Sequence, residues 1–247
     1  MMQSMIRNAA LAALLAVATP MFAQSSGNGF LFGRPSGSFS IRGGYSQANA
    51  GSDLFSFTTN RLTLDKNSFS GLTLGADVAF TLSPRLDLVL GASYAGTSNR
   101  SEFRHFVDNN NLPIEQSTDF VRAPITASLK YYLAPHGRSL GSFAWIPTKF
   151  SPFLGAGAGV MYYRFSQAGD FVDFRDNSVF NKAFASSGWA PTTHALAGFD
   201  YSLSPRLSLT TEARYAWAKA DLGKDYSGFK PIDLSGLSTT IGIYVRF

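Results

Sequence analysis

Leu72-Thr73-Leu74-Gly75-Ala76-Asp77-Val78-Ala79-Phe80-Thr81-Leu82-Ser83-Pro84-Arg85-Leu86-Asp87-Leu88 decides the fold of this 247-residue chain. Apolar residues recur at every second position from Leu72 to Leu82, with Thr73, Gly75, Asp77, Ala79 and Thr81 between them. That period of two is the signature of a β-strand with one apolar face. Ser83-Pro84-Arg85 is turn chemistry, and alternation resumes at Leu86, Leu88, Leu90, Ala92 and Tyr94, so the stretch predicts a tight hairpin. Leu203-Ser204-Pro205-Arg206-Leu207-Ser208-Leu209 repeats the turn almost residue for residue. It joins a strand carrying Ala195, Ala197, Phe199, Tyr201 and Leu203 to one carrying Leu207, Leu209, Thr211, Ala213, Tyr215 and Trp217.

Four more alternating runs complete a set of eight. They start near Ser38 (Phe39, Ile41, Gly43, Tyr45), Phe120 (Val121 to Tyr131), Pro152 (Leu154 to Tyr162) and Leu237 (Thr239 to Phe247). Runs of ten to fourteen residues exceed the usual globular strand and suit a tilted membrane strand. The connections alternate in length: the two Ser-Pro-Arg turns are short, whereas 46–70, 98–119, 166–191 and 220–235 are long, as in outer-membrane barrels. The connection 134–151 is long on the side where a short turn is expected, and its Phe143, Trp145 and Ile146 predict docking at the inner headgroup layer.

Charged residues are only 15% of the chain against the ~25% usual for soluble domains. With the strand direction assigned, the apolar faces end outward in Tyr45, Tyr94, Tyr162, Tyr215 and Trp217, and inward in Phe80, Tyr131, Phe199, Tyr201 and Phe247. Two aromatic belts at headgroup level follow. The opposite faces carry Arg42, Asp77, Asp87, Arg122, Lys130, Asp200, Glu212, Arg214 and Arg246. In a soluble sandwich these would face water, whereas in a barrel they face one another. The reading is an all-β, eight-stranded antiparallel up-and-down transmembrane β-barrel whose closure leaves no unpaired edge in lipid. Its lumen is narrow enough for side chains to fill, which predicts a charge network of Arg42, Asp77, Arg122, Lys130, Asp200, Glu212 and Arg214, centred on Asp77, Glu212, Arg214 and Arg122.

Upstream, Arg7, an apolar run from Ala9 to Ala18 and Met21-Phe22-Ala23 read as a secretory signal peptide over 1–23. Residues 24–36, Gly/Ser-rich around Phe30-Leu31-Phe32, read as a flexible periplasmic leader before a barrel at 37–247. The formal charge of +5 includes Arg7, so cleavage after Ala23 leaves +4. No Lys/Arg stripe suggests nucleic acid. Absence of cysteine excludes disulfides and thiolate metal sites.

The closing segment Gly242-Ile243-Tyr244-Val245-Arg246-Phe247 resembles the C-terminal assembly signal of outer-membrane barrels, with Tyr244, Val245 and Phe247 at its marked positions. That resemblance implies the barrel-insertion machinery as a partner. The layout over 37–247, including Gly155-Ala156-Gly157-Ala158-Gly159 and Leu209-Thr210-Thr211-Glu212-Ala213-Arg214-Tyr215, resembles the OmpA-like or opacity-protein-like outer-membrane β-barrel domain family. The resemblance implies an outer-membrane location and contact with outer-membrane lipid and lipopolysaccharide. The separate peptidoglycan-binding domain of full OmpA proteins has no counterpart here.

No catalytic constellation or cofactor motif emerges. Only His105, His136 and His194 could serve a serine nucleophile; the first two fall in connections and His194 is placed near the outer end of the sixth strand. Asp170, Asp173 and Asp176 lack the order of a calcium loop. The expected role is structural or surface-interacting through long outer loops, whose ligand the sequence does not name. A narrow channel is the alternative, seeded by the inward Gly155, Gly157 and Gly159, and a lipid-modifying enzyme is the second. The aromatic third loop, with Phe171, Phe174, Phe180, Phe184 and Trp189, predicts either a cover over the barrel mouth or an adhesive patch.

Overall fold

The computed structural model describes residues 29–107, 111–141, 143–173, 175 and 178–247; the expected signal peptide lies outside them. Eight antiparallel strands form the wall: β1 (Gly37–Ala48), β2 (Gly71–Ser83), β3 (Leu86–Val107), β4 (Pro113–Tyr132), β5 (Phe150–Asp173), β6 (Ser178–Ser202), β7 (Leu207–Ala220) and β8 (Gly236–Arg246). Each pairs with its sequence neighbours, and β8 pairs with both β7 and β1, which closes the ring. Arg246 pairs with Ser38 at the seam, and the amide of Phe247 donates to Gly37 O at 3.0 Å. Closure therefore leaves the wall without an unpaired edge at lipid depth, as hydrocarbon requires.

The alternation holds in space. Ile41, Leu72, Leu74, Leu90, Ile125, Leu154, Ile241 and Ile243 are exposed on the outside, while Arg42, Thr73, Asp77, Thr126, Thr210, Glu212 and Thr240 are buried inside. Both Ser-Pro-Arg turns are tight, and the first absorbs a register shift between Thr81 and Ser83.

Three expectations change. Segments 98–119 and 166–191 are not open loops: β3 to β6 have 22, 20, 24 and 25 residues and run beyond the outer aromatic belt as two hairpins. The apolar alternation weakens there because many of the inward positions buried against the cap are polar, among them Ser101, Gln116, Thr118, Gln167 and Ser186, so pattern alone ended the strands early. The connection 46–70 is also folded, containing helix α1 (Asp53–Arg61) and a 3-10 turn (Lys66–Phe69) whose first residue is capped by Asp65. A helix of nine residues is marginal alone; α1 holds because Leu54, Phe55 and Thr58 are buried on one face. Finally, residues 31–32 of the expected flexible leader are paired: Leu31–Phe32 joins Ala144–Pro147, which joins Gly137–Leu140, in a three-stranded sheet at the inner end.

Candidate functional site: the lumen

Arg42 on β1 and Asp77 on β2 are diagonal neighbours, because Ser40 stands opposite Asp77 and Arg42 opposite Gly75. Diagonal positions suit long side chains. Arg42 donates from Nε to Asp77 Oδ2 at 2.6 Å and from Nη2 to Oδ1 at 2.9 Å, and Ser40 Oγ adds a third bond to the carboxylate. A Cβ at Gly91 would collide with Asp77 Oδ1, so glycine there makes room for the pair. Arg42 also reaches Glu212 at 3.7 Å, and Glu212 takes a 2.9 Å bond from Arg214, which continues to Thr126 Oγ1. Two cations and two carboxylates thus meet across the middle of the barrel.

Lower down, Lys130 Nζ is 3.3 Å from Asp200, which also accepts from the Tyr132 hydroxyl at 2.8 Å. Lys130 stands 3.5 Å over the Phe153 ring, within a small apolar cluster of Tyr132, Phe153 and Leu196. At the inner mouth, Arg246 donates to Pro205 O, Ser202 Oγ and Tyr244 Oη and lies over the Trp145 and Tyr244 rings. Trp145 is buried. The connection 134–151 therefore sends its tryptophan into the barrel base rather than into the headgroup layer, while Phe143 remains exposed. Tyr244 likewise faces inward, whereas Phe247 faces out.

Arg122 corrects the sequence reading. It has no carboxylate within ion-pair distance among the described residues; it donates to Ser46 Oγ at 2.9 Å and to the carbonyls of Leu234 and Ser235 at 3.3 and 3.4 Å. Its height belongs to the outer mouth, so it ties the wall to the last outer connection.

Above Arg122 the lumen turns apolar. Leu54 and Phe55 of α1 pack with Phe69, Phe120, Tyr163, Phe165, Tyr226, Ile232 and Leu234 in one buried cluster. The Phe55 ring lies 4.7, 5.3 and 5.8 Å from those of Phe69, Phe120 and Phe165. Asp233 fastens the cap by accepting from Asn49 Nδ2 at 2.7 Å and from Gly51 N at 3.1 Å. Sequence reasoning missed this layer. Its available signal was the appearance of Tyr163 and Phe165 at inward positions of β5, where a lumen meeting water would carry polar groups.

Between the layers lie small voids: about 40 Å³ around Arg42, Asp77 and Tyr132, about 40 Å³ around Arg42, Arg122 and Met161, and about 20 Å³ near Asp87 and His136. At roughly 10–15 Å³ per water the two larger voids have room for about three and the smallest for one, and none of them forms a passage. The inward glycines of β5 take the close-packing role: a Cβ at Gly157 would meet Ala127 O and the His194 ring.

His194 stands deeper than expected, opposite Gly157 rather than at the outer end, with Nε2 2.7 Å from Ser128 Oγ. A serine nucleophile would need its histidine oriented by a third group. Here Nδ1 has no hydrogen-bond partner among the described residues, and both side chains are buried inside the wall. No group of three potential metal ligands occurs among the described residues; Asp170 is bonded to Asn181 and Asp173 to Arg175, while Asp176 and Phe174 lie outside them.

The outer surface carries aromatic rings at two levels. Tyr45, Tyr94 and Trp217 are exposed at the outer level, and Phe80, Tyr131, Phe199, Tyr201 and Phe247 at the inner level. Tyr162 and Tyr215 are half-buried against Trp189 and Trp217, at 5.4 and 4.9 Å. Trp189 therefore belongs to the lipid-facing belt, not to a loop. Of the other third-loop aromatics described, Phe171 and Phe184 pack together, and Phe184 leans on the cap beside Tyr226. A closed ring, an apolar outside bounded by two belts and a filled inside leave one reading. The fold is that of an outer-membrane β-barrel. No protein-family model and no curated protein matches the chain. Solved structures do. Neisserial surface protein A is 16% identical, covering 85% of this chain and 96% of its own, with a TM-score of 0.45. OprG of Pseudomonas aeruginosa is 18% identical over 88% and 99%, at 0.46. Ail, the attachment invasion locus protein of Yersinia pestis, is 16% identical over 86% and 99%, at 0.39, in complex with the heparin analogue sucrose octasulfate. Identities and scores this low carry nothing about ligands or partners.

One titration follows from the inner cap. His136 lies in the connection below the wall, with its ring 4.9 Å from Tyr132 and 6.2 Å from Trp145. Burial, reinforced by the Arg246 and Arg34 guanidinium groups, pushes its pKa down to about 4. The unfolded chain binds this proton near pH 6.5 and the folded chain refuses it until about 4. The stabilisation is whole above pH 6.5 and is lost as the pH falls to about 4, a change of about 3 kcal/mol. Denaturant midpoints from pH 7.5 to 4 should fall in wild type and fall less in His136→Gln; parallel curves would refute this.

Proposed function

We propose that the protein is a sealed element of the bacterial outer membrane, structural in its wall and surface-interacting through its two projecting hairpins, without transport or catalysis. The observation that carries this reading is the filling of the lumen at three heights: an apolar cap around Phe55, an ionic layer around Arg42 and Asp77, and the Trp145–Arg246 base. A narrow channel would need a continuous polar path through all three. The surface role is supported by the reach of β5, which continues from the belt at Tyr162 to Asp173, roughly 35 Å of contour at ~3.3 Å per residue. Val107, Leu112, Val179 and Phe180 are exposed near the hairpin tips. Against catalysis stands the enclosure of the Ser128–His194 pair, which gives a substrate no approach. Planar-bilayer recording of the refolded protein should show no steady conductance at moderate voltage. A large stable open level would overturn the sealed barrel in favour of a channel.

A further inference from the structure

The two ends of the barrel differ in charge. The segments at the inner end, 29–36, 83–86, 133–151 and 203–207, contain no aspartate or glutamate, yet they hold Arg34, Arg85, Arg138, Lys149 and Arg206. Each outer connection, by contrast, mixes signs: Asp53 and Asp65 with Arg61 and Lys66 in the first, Asp221, Asp225 and Asp233 with Lys224 and Lys230 in the last. The carboxylates nearest the inner rim, Asp87 and Asp200, are buried and turned into the lumen, where Asp200 is already held by Lys130 and Tyr132. No carboxylate side chain in these segments therefore answers the exposed Arg85, Arg138 and Lys149.

We propose that this rim is a docking surface for anionic phospholipid headgroups of the periplasmic leaflet; the inference rests on the barrel's reading as an outer-membrane protein with this end inward. The cations sit at headgroup height. Arg85 directly precedes the wall residue Leu86, Lys149 directly precedes the exposed Phe150 and stands 5.0 Å from the Tyr201 ring, and Arg206 directly precedes Leu207. Their aliphatic stems can run along the apolar wall while the charged heads reach phosphate. The small sheet that closes the barrel supplies the apolar half of the surface. Leu31 and Trp145 are buried, but Phe32 is 61% and Phe143 78% exposed, with Leu140 also exposed. Exposed rings beside exposed cations suit a lipid interface, where rings enter the acyl boundary and cations meet phosphate. A glycan of the cell wall would satisfy the cations and leave the rings in water.

The test is reconstitution of the refolded protein in phosphatidylcholine bilayers containing trace spin-labelled phosphatidylglycerol or, separately, spin-labelled phosphatidylcholine. The spectra report lipid held at the barrel. Wild type should hold phosphatidylglycerol about fivefold over phosphatidylcholine, the factor one well-placed cation provides near an anionic surface, and the preference should shrink in high salt. The triple variant R85Q/R138Q/K149Q, altered only at exposed sites, should bring the ratio close to one. R100Q/R164Q/K219Q, neutralised at exposed sites toward the other end, should leave it unchanged. Loss of preference in the second variant but not the first would overturn the assignment. So would equal holding of both lipids by wild type, or retention of wild type on purified cell-wall sacculi with no lipid preference; each leaves the barrel itself standing. No held lipid of either kind would overturn the barrel reading and this inference with it.

Discussion

Replacing Asp77 with alanine should cost the barrel about 3–5 kcal/mol, the usual result of stranding one member of a buried ion pair. Arg42 would keep only Glu212 at 3.7 Å, a carboxylate already engaged by Arg214 at 2.9 Å. Two guanidinium groups would then share one carboxylate in a space closed to bulk water. The double variant Arg42→Met/Asp77→Leu should recover most of the loss, because it removes both charges and leaves Arg214 and Glu212 balanced. Denaturant unfolding in lipid vesicles, followed by the heat-dependent gel mobility that folded barrels show, measures all three proteins. A double variant no more stable than Asp77→Ala would mean that the ionic layer supports the wall by shape rather than by charge balance.

The Asp77 result shows what the sequence could and could not reveal. Parity placed Arg42, Asp77, Lys130, Asp200, Glu212 and Arg214 on one face, since a period of two needs no knowledge of neighbours. It did not pair them, because pairing depends on register: the Arg42–Asp77 bridge exists only because Ser40, not Arg42, lies opposite Asp77. Arg122 shows the same limit. Its face was legible, but its height was not, and height decides whether it meets carboxylates or the carbonyls of Leu234 and Ser235. His194 was displaced by the same error, since starting β6 late put Thr192 and His194 near a rim that lies much farther out. The outer hairpins were read as loops because buried inward positions such as Ser101, Gln116, Thr118 and Gln167 are polar, so apolar alternation loses its contrast. The cap was invisible for a different reason: α1 is short and polar overall, and it becomes a helix only where Phe55 finds Phe69, Phe120 and Phe165.

Phe55→Ala should be the strongest single lesion in that cap, at about 3–5 kcal/mol for truncating a fully buried aromatic ring. Its consequence should be local. The cap touches the rest of the molecule above the ionic layer; α1 and the segment around Tyr226 are held by apolar contact and by Asp233, whereas Ile232 and Asp233 pair with Ala220 and Lys219 at the end of β7. Amide hydrogen exchange should therefore quicken over 53–61 and 224–231 and stay slow in β1, β7 and β8 at lipid depth. Equal quickening in the wall would show that cap and barrel unfold as one unit. The variant should also stay closed in bilayer recordings, because the three seals lie in series and any one of them blocks ions. Removing Phe55 still leaves Arg42 bound to Asp77 and Trp145 packed under Arg246. Conductance in Phe55→Ala alone would mean that the ionic layer does not seal by itself, and that the apolar cap is the gate.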